Sequence, residues 1–145
     1  MIIRDIKKAE YFTSGDGCTL CELLHPEREA EKNPGEGISM NASIAHAFVG
    51  AGDRTVPHRL KESAEIYYII AGHGIMHINE EKEAVGPGQA VYIPPGSVQW
   101  IESCGPCDLE LLAIADPFWR ENDEEILPEK CGPDRAYRSH GTEIY

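Results

Sequence analysis

The chain has 145 residues, of which 41% are hydrophobic and 26% charged, and its formal net charge is -12. These values fit one globular domain that is large enough to bury a core. The acidic excess disfavours nucleic acid and anionic membranes as partners. No apolar run approaches the roughly 20 residues that a membrane span needs, and the N-terminus lacks the apolar core of a signal peptide, so a cytoplasmic location is expected.

The first 37 residues are predicted to form an N-terminal arm. Ile2–Ile6 is short and apolar and is predicted to be an edge strand, and Leu20–Leu24 is a second strand candidate. Residues 26–37 are charged and contain two prolines and two glycines, a composition typical of a loop. The sequence therefore predicts arm strands and a loop over residues 1–37.

Residues 38–116 contain short apolar segments divided by glycine and proline. β-branched and aromatic residues are concentrated in these segments, as in strands. The candidates are Ile38–Val49, Glu65–Ala71, Ile75–Asn79, Ala90–Ile93, Val98–Ile101 and Leu109–Ala115. Strands spaced about ten residues apart indicate an antiparallel sandwich or barrel.

Residues 117–145 are predicted to be an acidic C-terminal extension. Asp116 and Pro117 can serve as N-cap and first residue of a short helix or turn that runs to Leu127. Phe118 and Trp119 are expected to anchor this segment on the barrel. The remaining tail is either loosely packed or ordered by a partner subunit.

The cysteines form two C-x-x-C pairs and one single residue. They are Cys18, Cys21, Cys104, Cys107 and Cys131. Paired C-x-x-C motifs can build a structural zinc site, and C-G-P-C resembles a thioredoxin redox motif. The second pair precedes a strand rather than opening a helix, so incidental thiols are the favoured interpretation.

Two glycine-bracketed segments contain the candidate site. The first consists of Gly52, His58, Leu60, Glu65 and Gly72, and the second of Gly88, Pro94, Gly96, Gln99 and Ser103. Residues two apart on a strand share a face, so the side chains at positions 58 and 60 would converge. The carboxylate of Glu65 and the amide of Gln99 would then reach the same pocket from other strands.

The spacing of these residues resembles the two signature motifs of the cupin family. Every spacing agrees, from the first glycine through the H-x-H position to the glutamate, and from the second glycine through P-x-G to the fourth ligand position. The resemblance implies an all-β fold, an antiparallel jelly-roll-type cupin barrel. It also implies a metal held by three histidines and one glutamate. Here Leu60 and Gln99 stand at two histidine positions, and Ser103 replaces an asparagine.

The resemblance leaves His58 and Glu65 as the expected catalytic residues and metal ligands, with Gln99 as a weaker oxygen ligand. His46 is a candidate replacement if its strand turns it inward, giving a two-histidine, one-carboxylate set suited to Fe or Mn. The alternative is that His46 is a half-buried strand residue with a satisfied hydrogen bond. The metal would be Fe, Mn, Ni or Zn. The alternative for His58 and Glu65 is a metal-free, hydrogen-bonded pair acting as base and orienter.

Three aromatic residues near the motifs are candidate substrate-binding residues. Tyr67 shares a face with Glu65, and Tyr92 and Trp100 flank the second motif. Aromatic residues on barrel strands are more often ordinary core, which is the competing interpretation.

The leading functional prediction is binding of a small polar molecule, sugar-like or an organic acid, in the barrel cavity. The resemblance further implies metal-assisted oxidation or isomerisation, and assembly as a homodimer. One alternative is a non-catalytic binding or sensory module, which the loss of two histidines favours. Another is a metal-free epimerase or isomerase that uses His58 as base.

Overall fold

The computed structural model describes residues 1–35 and 37–128. Within these residues no helix is long and apolar enough to cross a membrane. Strands are the main secondary structure of the described chain, as the alternation of short apolar segments with glycine and proline predicts. In the described part of the chain, the strands and the single α-helix are β1 Phe12–Thr13, β2 Thr19–Leu24, α1 Pro26–Lys32, β3 Ser43–Val49, β4 His58–Leu60, β5 Ala64–Ala71, β6 His73–Ile78, β7 Glu81–Val85, β8 Ala90–Ile93, β9 Gln99–Cys104, β10 Leu109–Asp116 and β11 Glu124–Ile126.

The strands form two antiparallel sheets. One has six strands in the order β1-β2-β3-β10-β5-β8, and the other has five in the order β11-β4-β9-β6-β7. The non-consecutive neighbours are the crossovers of a jelly roll. The predicted all-β, antiparallel jelly-roll fold is therefore confirmed.

Strand β5 shows how the sequence sets the two faces of its sheet. Its side chains alternate, with Tyr67 and Ile69 buried and Ile66, Tyr68 and Ile70 exposed. Residues with period two point to opposite faces of a strand. The buried set packs with residues of the other sheet, including Met76 and Ile101 of β6 and β9, so the core lies between the two sheets.

The turn from β5 to β6 requires a glycine. Gly72 has φ +79, and a Cβ there would lie 2.4 Å from the carbonyl oxygen of Asp108. Neither the left-handed backbone nor the close approach tolerates a side chain. This turn places β5 and β6 in different sheets, which opens the space between them.

The N-terminal arm differs from the prediction in two places. Ile2–Ile6 is not a strand: Asp5 caps a 3-10 helix at Ile6–Lys8 instead. The predicted loop over residues 26–37 contains helix α1, because Pro26 sits at its first position and good helix formers follow. The prolines and glycines that indicated a loop lie at the ends of this helix.

The predicted short helix or turn from Asp116 to Leu127 is only partly matched, because the segment ends in a strand. The segment contains a 3-10 helix at Glu121–Asp123 and then β11, which pairs with the edge strand β4. The backbone of Leu127 also donates to the carbonyl of Pro57. Sheet pairing therefore prevails over the local capping signal, and the predicted tail beyond residue 128 lies outside the described residues.

Candidate functional site

A cavity of about 510 Å³ lies inside the barrel. Strand β3 contributes Ala45 and Ala47 to its wall, and β10 contributes Ala113 and Ala115. These small residues sit at inward positions where large ones would fill the core. The sequence thus leaves a space, and His58, Glu65 and Tyr67 line the same space.

His58 has one ring nitrogen bonded and the other turned to the cavity. It is 2% exposed, and its Nδ1 lies 2.7 Å from the carbonyl oxygen of Val56. A carbonyl only accepts, so Nδ1 carries a proton, and in the neutral ring Nε2 keeps its lone pair. The nearest charged group to Nε2 is the Asp16 carboxylate, with Oδ2 at 3.8 Å. This arrangement leaves a free base beside a carboxylate.

Asp16 is held in place by the turn that follows β1. Its Oδ1 accepts from the hydroxyl of Ser14 and from the backbone N–H of Cys18 at 3.1 Å. The side chain is buried and lines the cavity. Asp16 is thus a fixed carboxylate that can stabilise a positive charge on His58.

Glu65 and Gln99 form a buried pair. The Gln99 amide donates from Nε2 to Oε2 of Glu65 at 2.7 Å, and Gln99 is 1% exposed. The amide oxygen of Gln99 has no partner among the described residues. A half-turn of the amide would let this oxygen accept a hydrogen bond from neutral Glu65, so Gln99 can partner Glu65 in both protonation states.

Burial raises the pKa of Glu65 to about 7, and the carboxylates of Asp16 and Glu124 raise it too, while Gln99 and His58 act in the opposite direction. Burial also raises the pKa of Glu124. Burial together with the nearby carboxylates raises the pKa of the Tyr67 hydroxyl well above its usual range, and that of the Cys18 thiol to about 12. Near neutral pH Glu65 is therefore a proton donor as well as an acceptor, whereas Tyr67 and Cys18 stay protonated.

Asp16 and Glu124 were not singled out by the sequence, although both line the cavity with His58. Asp16 lies in the arm and Glu124 on β11, in segments that the family motifs do not include. The only local signal is the S-G-D-G turn around Asp16, where an aspartate commonly bonds its own backbone.

His46 is not brought to the cavity. Its strand neighbours Ala45 and Ala47 line the wall, while the His46 ring bonds the Tyr11 hydroxyl through Nδ1 and Glu110 Oε1 through Nε2, both at 2.7 Å. Both ring nitrogens are therefore occupied. The expectation of an inward, metal-binding His46 does not match this placement, which agrees with the alternative of a satisfied strand histidine.

Of the three aromatic candidates, only Tyr67 lines the cavity. Tyr92 is 61% exposed on the outer side of β8. Trp100 stacks on His77, with ring centroids 4.3 Å apart, and does not line the cavity. Strand alternation explains this outcome, since Gln99 and Ile101 take the buried positions on either side of Trp100.

The donor set does not fit the metal site that the cupin resemblance implies. Leu60 is buried at one ligand position and offers no donor, and the amide nitrogen of Gln99 is bonded to Glu65. No group of three or more His, Cys, Asp or Glu side chains suited to a metal occurs in residues 1–35 and 37–128. A cupin metal needs more ligands than His58 and Glu65 supply.

The cysteine pairs have different surroundings. Cys18 and Cys21 are buried, whereas Cys104 and Cys107 are exposed in the turn between β9 and β10. Cys131 lies outside the described residues. The high pKa of Cys18 gives a protonated, unreactive thiol near neutral pH.

Comparison with known proteins agrees with this architecture. The cupin domain family matches residues 49–115. An uncharacterized protein of Methanocaldococcus jannaschii is 37% identical over 132 residues, which cover 88% of this chain and 99% of that protein. The chain belongs to the cupin superfamily.

Two solved structures illustrate the likeness in fold. A predicted oxalate decarboxylase from Thermotoga maritima superposes with a TM-score of 0.65 at 24% identity, covering 81% of this chain and 99% of that one. The nucleoside dehydratase Pac13 from Streptomyces gives a TM-score of 0.65 at 18% identity, covering 88% and 91%. At these identities the likeness extends to the fold alone.

Proposed function

We propose that this cupin binds a small polar molecule in the barrel cavity and moves a proton on it, with His58 as base and Glu65 as acid. The observation that carries the proposal is the free Nε2 of His58 in a cavity that also holds a buried carboxyl with a pKa of about 7. A positioned base beside a carboxyl that titrates near neutral pH is the pair that such catalysis needs.

His58 would accept the proton at Nε2. The Val56 carbonyl fixes the ring and its tautomer, and Asp16 at 3.8 Å stabilises the imidazolium that forms. In isomerisation, epimerisation or dehydration, the proton leaves a carbon or hydroxyl of the bound molecule and a second proton returns. No electron acceptor is required, so the protein's own groups are sufficient.

Glu65 would return the proton. Burial keeps a large fraction of its carboxyl neutral near pH 7, and Gln99 can accept or donate as the carboxyl changes state. The Tyr67 hydroxyl lies on the same strand face and can orient a polar group of the ligand. The metal-assisted alternative has no donor from Leu60, and beyond His58 and Glu65 the motif positions offer it only the weak amide oxygen of Gln99.

A binding and exchange experiment tests this proposal. The protein is titrated with a panel of hexoses, polyols, nucleosides and hydroxy acids while the carbon-bound ring protons of its histidines are followed by NMR. Bound molecules are then incubated in D₂O. We expect the His58 resonances to shift, and we expect deuterium to enter the ligand at a carbon position.

Two variants and a metal analysis make the test specific. His58→Gln should abolish the exchange, whereas His77→Gln should retain it, because His77 is bonded to Glu102 outside the cavity. Binding at His58 without exchange or conversion would favour the non-catalytic module. Stoichiometric metal that is lost with His58→Gln would overturn the metal-independent mechanism.

We also propose that the outer face of the six-stranded sheet joins two copies of the chain. Ile66, Tyr68 and Ile70 of β5 are each more than a third exposed, and Tyr92 lies opposite Ile66 on β8. This patch of exposed apolar side chains on a chain of net charge -12 suits a second copy that presents the same patch.

Light scattering after size-exclusion chromatography tests the dimer. The wild type should elute with the mass of two chains, and Tyr68→Arg should yield monomers with unchanged circular dichroism. Glu83→Arg, an exposed change on β7 of the other sheet, is the control. A monomeric wild type would contradict the proposal.

A further inference from the structure

We propose that the ligand of the barrel cavity carries a positive charge, as an organic ammonium group, and places it among Asp16, Glu65 and Glu124. This inference rests on the proposed ligand-binding function of the same cavity. It narrows the expected ligand from any small polar molecule to a cationic one, and it disfavours the organic acids that the sequence left open.

The first observation is a charge imbalance. Asp16, Glu65 and Glu124 line the cavity, and the only basic side chain beside them is His58. No lysine or arginine of the described residues lines the cavity. Another lining carboxylate, Glu22, differs because it is paired with Arg28.

The neighbouring glutamates of β11 show the same contrast. Glu124 lines the cavity and has no ion pair within the described part of the chain, whereas Glu125 pairs with Arg59 at 2.7 Å on the other face. Partly buried carboxylates without cationic partners are costly, since burial removes water that would stabilise their charge. An ammonium group in the cavity would supply the missing partner.

The second observation is independent of charge: the cavity contains polar atoms without partners. His58 is 2% exposed, and its Nε2 makes no hydrogen bond within the described residues. Tyr67 is 6% exposed, and its hydroxyl likewise has no partner there, although it lines the cavity. Both residues line the cavity and neither atom is sealed from it, so a ligand with polar groups of its own can form hydrogen bonds to them.

The rest of the cavity defines the body of the ligand. Part of its wall is built from Ala45, Ala47, Leu111 and Ala113, which offer apolar contact. An uncharged ring or chain fits against this part of the wall, with the ammonium group at the acidic end. A carboxylate or phosphate at that end would be repelled by Asp16 and by the ionised fractions of Glu65 and Glu124.

Two matched sets of probes test the charge preference. Benzylamine, benzyl alcohol and benzoate share one body, as do glucosamine, glucose and glucuronate. Each is titrated into the full-length protein at pH 7.5 while the His58 ring resonances are followed by NMR. In at least one set, the amine should bind about tenfold or more tightly than the alcohol, and the carboxylate should bind most weakly.

A pair of variants identifies the source of the preference. Glu124→Gln should lower the ratio of amine to alcohol affinity about tenfold. Glu125→Gln, which removes the same charge from the adjacent residue on the other face, should leave the ratio unchanged. If both variants lowered the ratio of amine to alcohol affinity by the same factor, a local role for Glu124 would be contradicted.

The remaining outcomes separate this inference from the proposed function. An alcohol or carboxylate that binds at His58 as tightly as its amine overturns the charge preference and leaves the cavity a ligand site. Failure of all six probes to shift His58 counts against both proposals. Stoichiometric Mn²⁺ or Zn²⁺ that excludes benzylamine would assign the acidic end to an inorganic cation and overturn the ammonium proposal.

Discussion

His58 and His46 are equally buried, each 2% exposed, yet their surroundings differ. His46 bonds Tyr11 and Glu110 through its two nitrogens, so its hydrogen-bonding capacity is used within the protein. His58 uses one nitrogen on its own chain and directs the other to a cavity. Burial therefore does not distinguish a structural histidine from a candidate catalytic one; the unused nitrogen does.

The strongest test of this contrast is the loss of His58. His58→Gln keeps a polar side chain but removes the base, so we expect the rate of proton exchange in a bound ligand to fall at least about 100-fold. Exchange measured by NMR in D₂O checks this result. His46→Gln should leave the rate within about twofold, because His46 does not contact the cavity. If the exchange rate fell by a similar factor in His58→Gln and His46→Gln, the unused ring nitrogen would not distinguish the two histidines.

The buried carboxyl of Glu65, which lines the same cavity as His58, makes the free energy of unfolding depend on pH. Its folded-state pKa is raised from 4.5 to about 7, so the folded protein holds a proton that the unfolded chain loses first. Stability from this group is complete below pH 4.5 and falls as the pH rises to about 7, by roughly 3 kcal/mol in the free energy of unfolding. Glu65→Gln should remove this fall.

Urea unfolding at intervals from pH 4.5 to 8 measures this effect. The difference in unfolding free energy between Glu65→Gln and wild type should move in favour of the variant as the pH rises. Glu125→Gln is the control, since Glu125 pairs with Arg59 outside the cavity. If the curves of unfolding free energy against pH ran parallel for wild type and Glu65→Gln, burial would not raise the pKa of the Glu65 carboxyl.

His46 provides the opposite test, in which stability changes and ligand binding does not. His46→Leu leaves the Tyr11 hydroxyl and the Glu110 carboxylate without their partner, which should cost about 2 kcal/mol of unfolding free energy. Chemical denaturation measures the cost, and NMR titration with a cavity ligand should give an unchanged affinity. Weakened binding would mean that the outer face is coupled to the cavity.

The sequence could predict the barrel and the central pair, because both depend on local patterns. The β-branched run of β5 ends at a glycine that the turn requires, and motif spacing puts His58 and Glu65 on strands that are consecutive in the chain and lie in different sheets. The orientation of His46 could not be read in this way. Alanine side chains such as those of Ala45 and Ala47 occur both on surfaces and in cores. Alternation alone therefore does not say which face of β3 is inward.

The acidic end of the cavity could not be predicted either. Asp16 reaches His58 only because the arm folds back over the barrel, and Glu124 only because β11 pairs with β4. Both depend on contacts between segments far apart in the chain, which periodicity does not encode. The capping signal at Asp116 and Pro117 predicted a short helix or turn through Leu127, whereas the end of that segment forms β11.

Among these variants, His77→Gln is expected to change the free energy of unfolding least. His77 stacks on Trp100 and bonds Glu102 at 2.7 Å, but this pair is partly open to solvent. A solvent-exposed pair contributes little, so His77→Gln should lower the free energy of unfolding by about 1 kcal/mol or less. Tryptophan fluorescence during urea unfolding measures it, and ligand affinity should not change. A cost as large as that of His46→Leu would show that burial of the hydrogen-bonded ring is not what separates the two histidines.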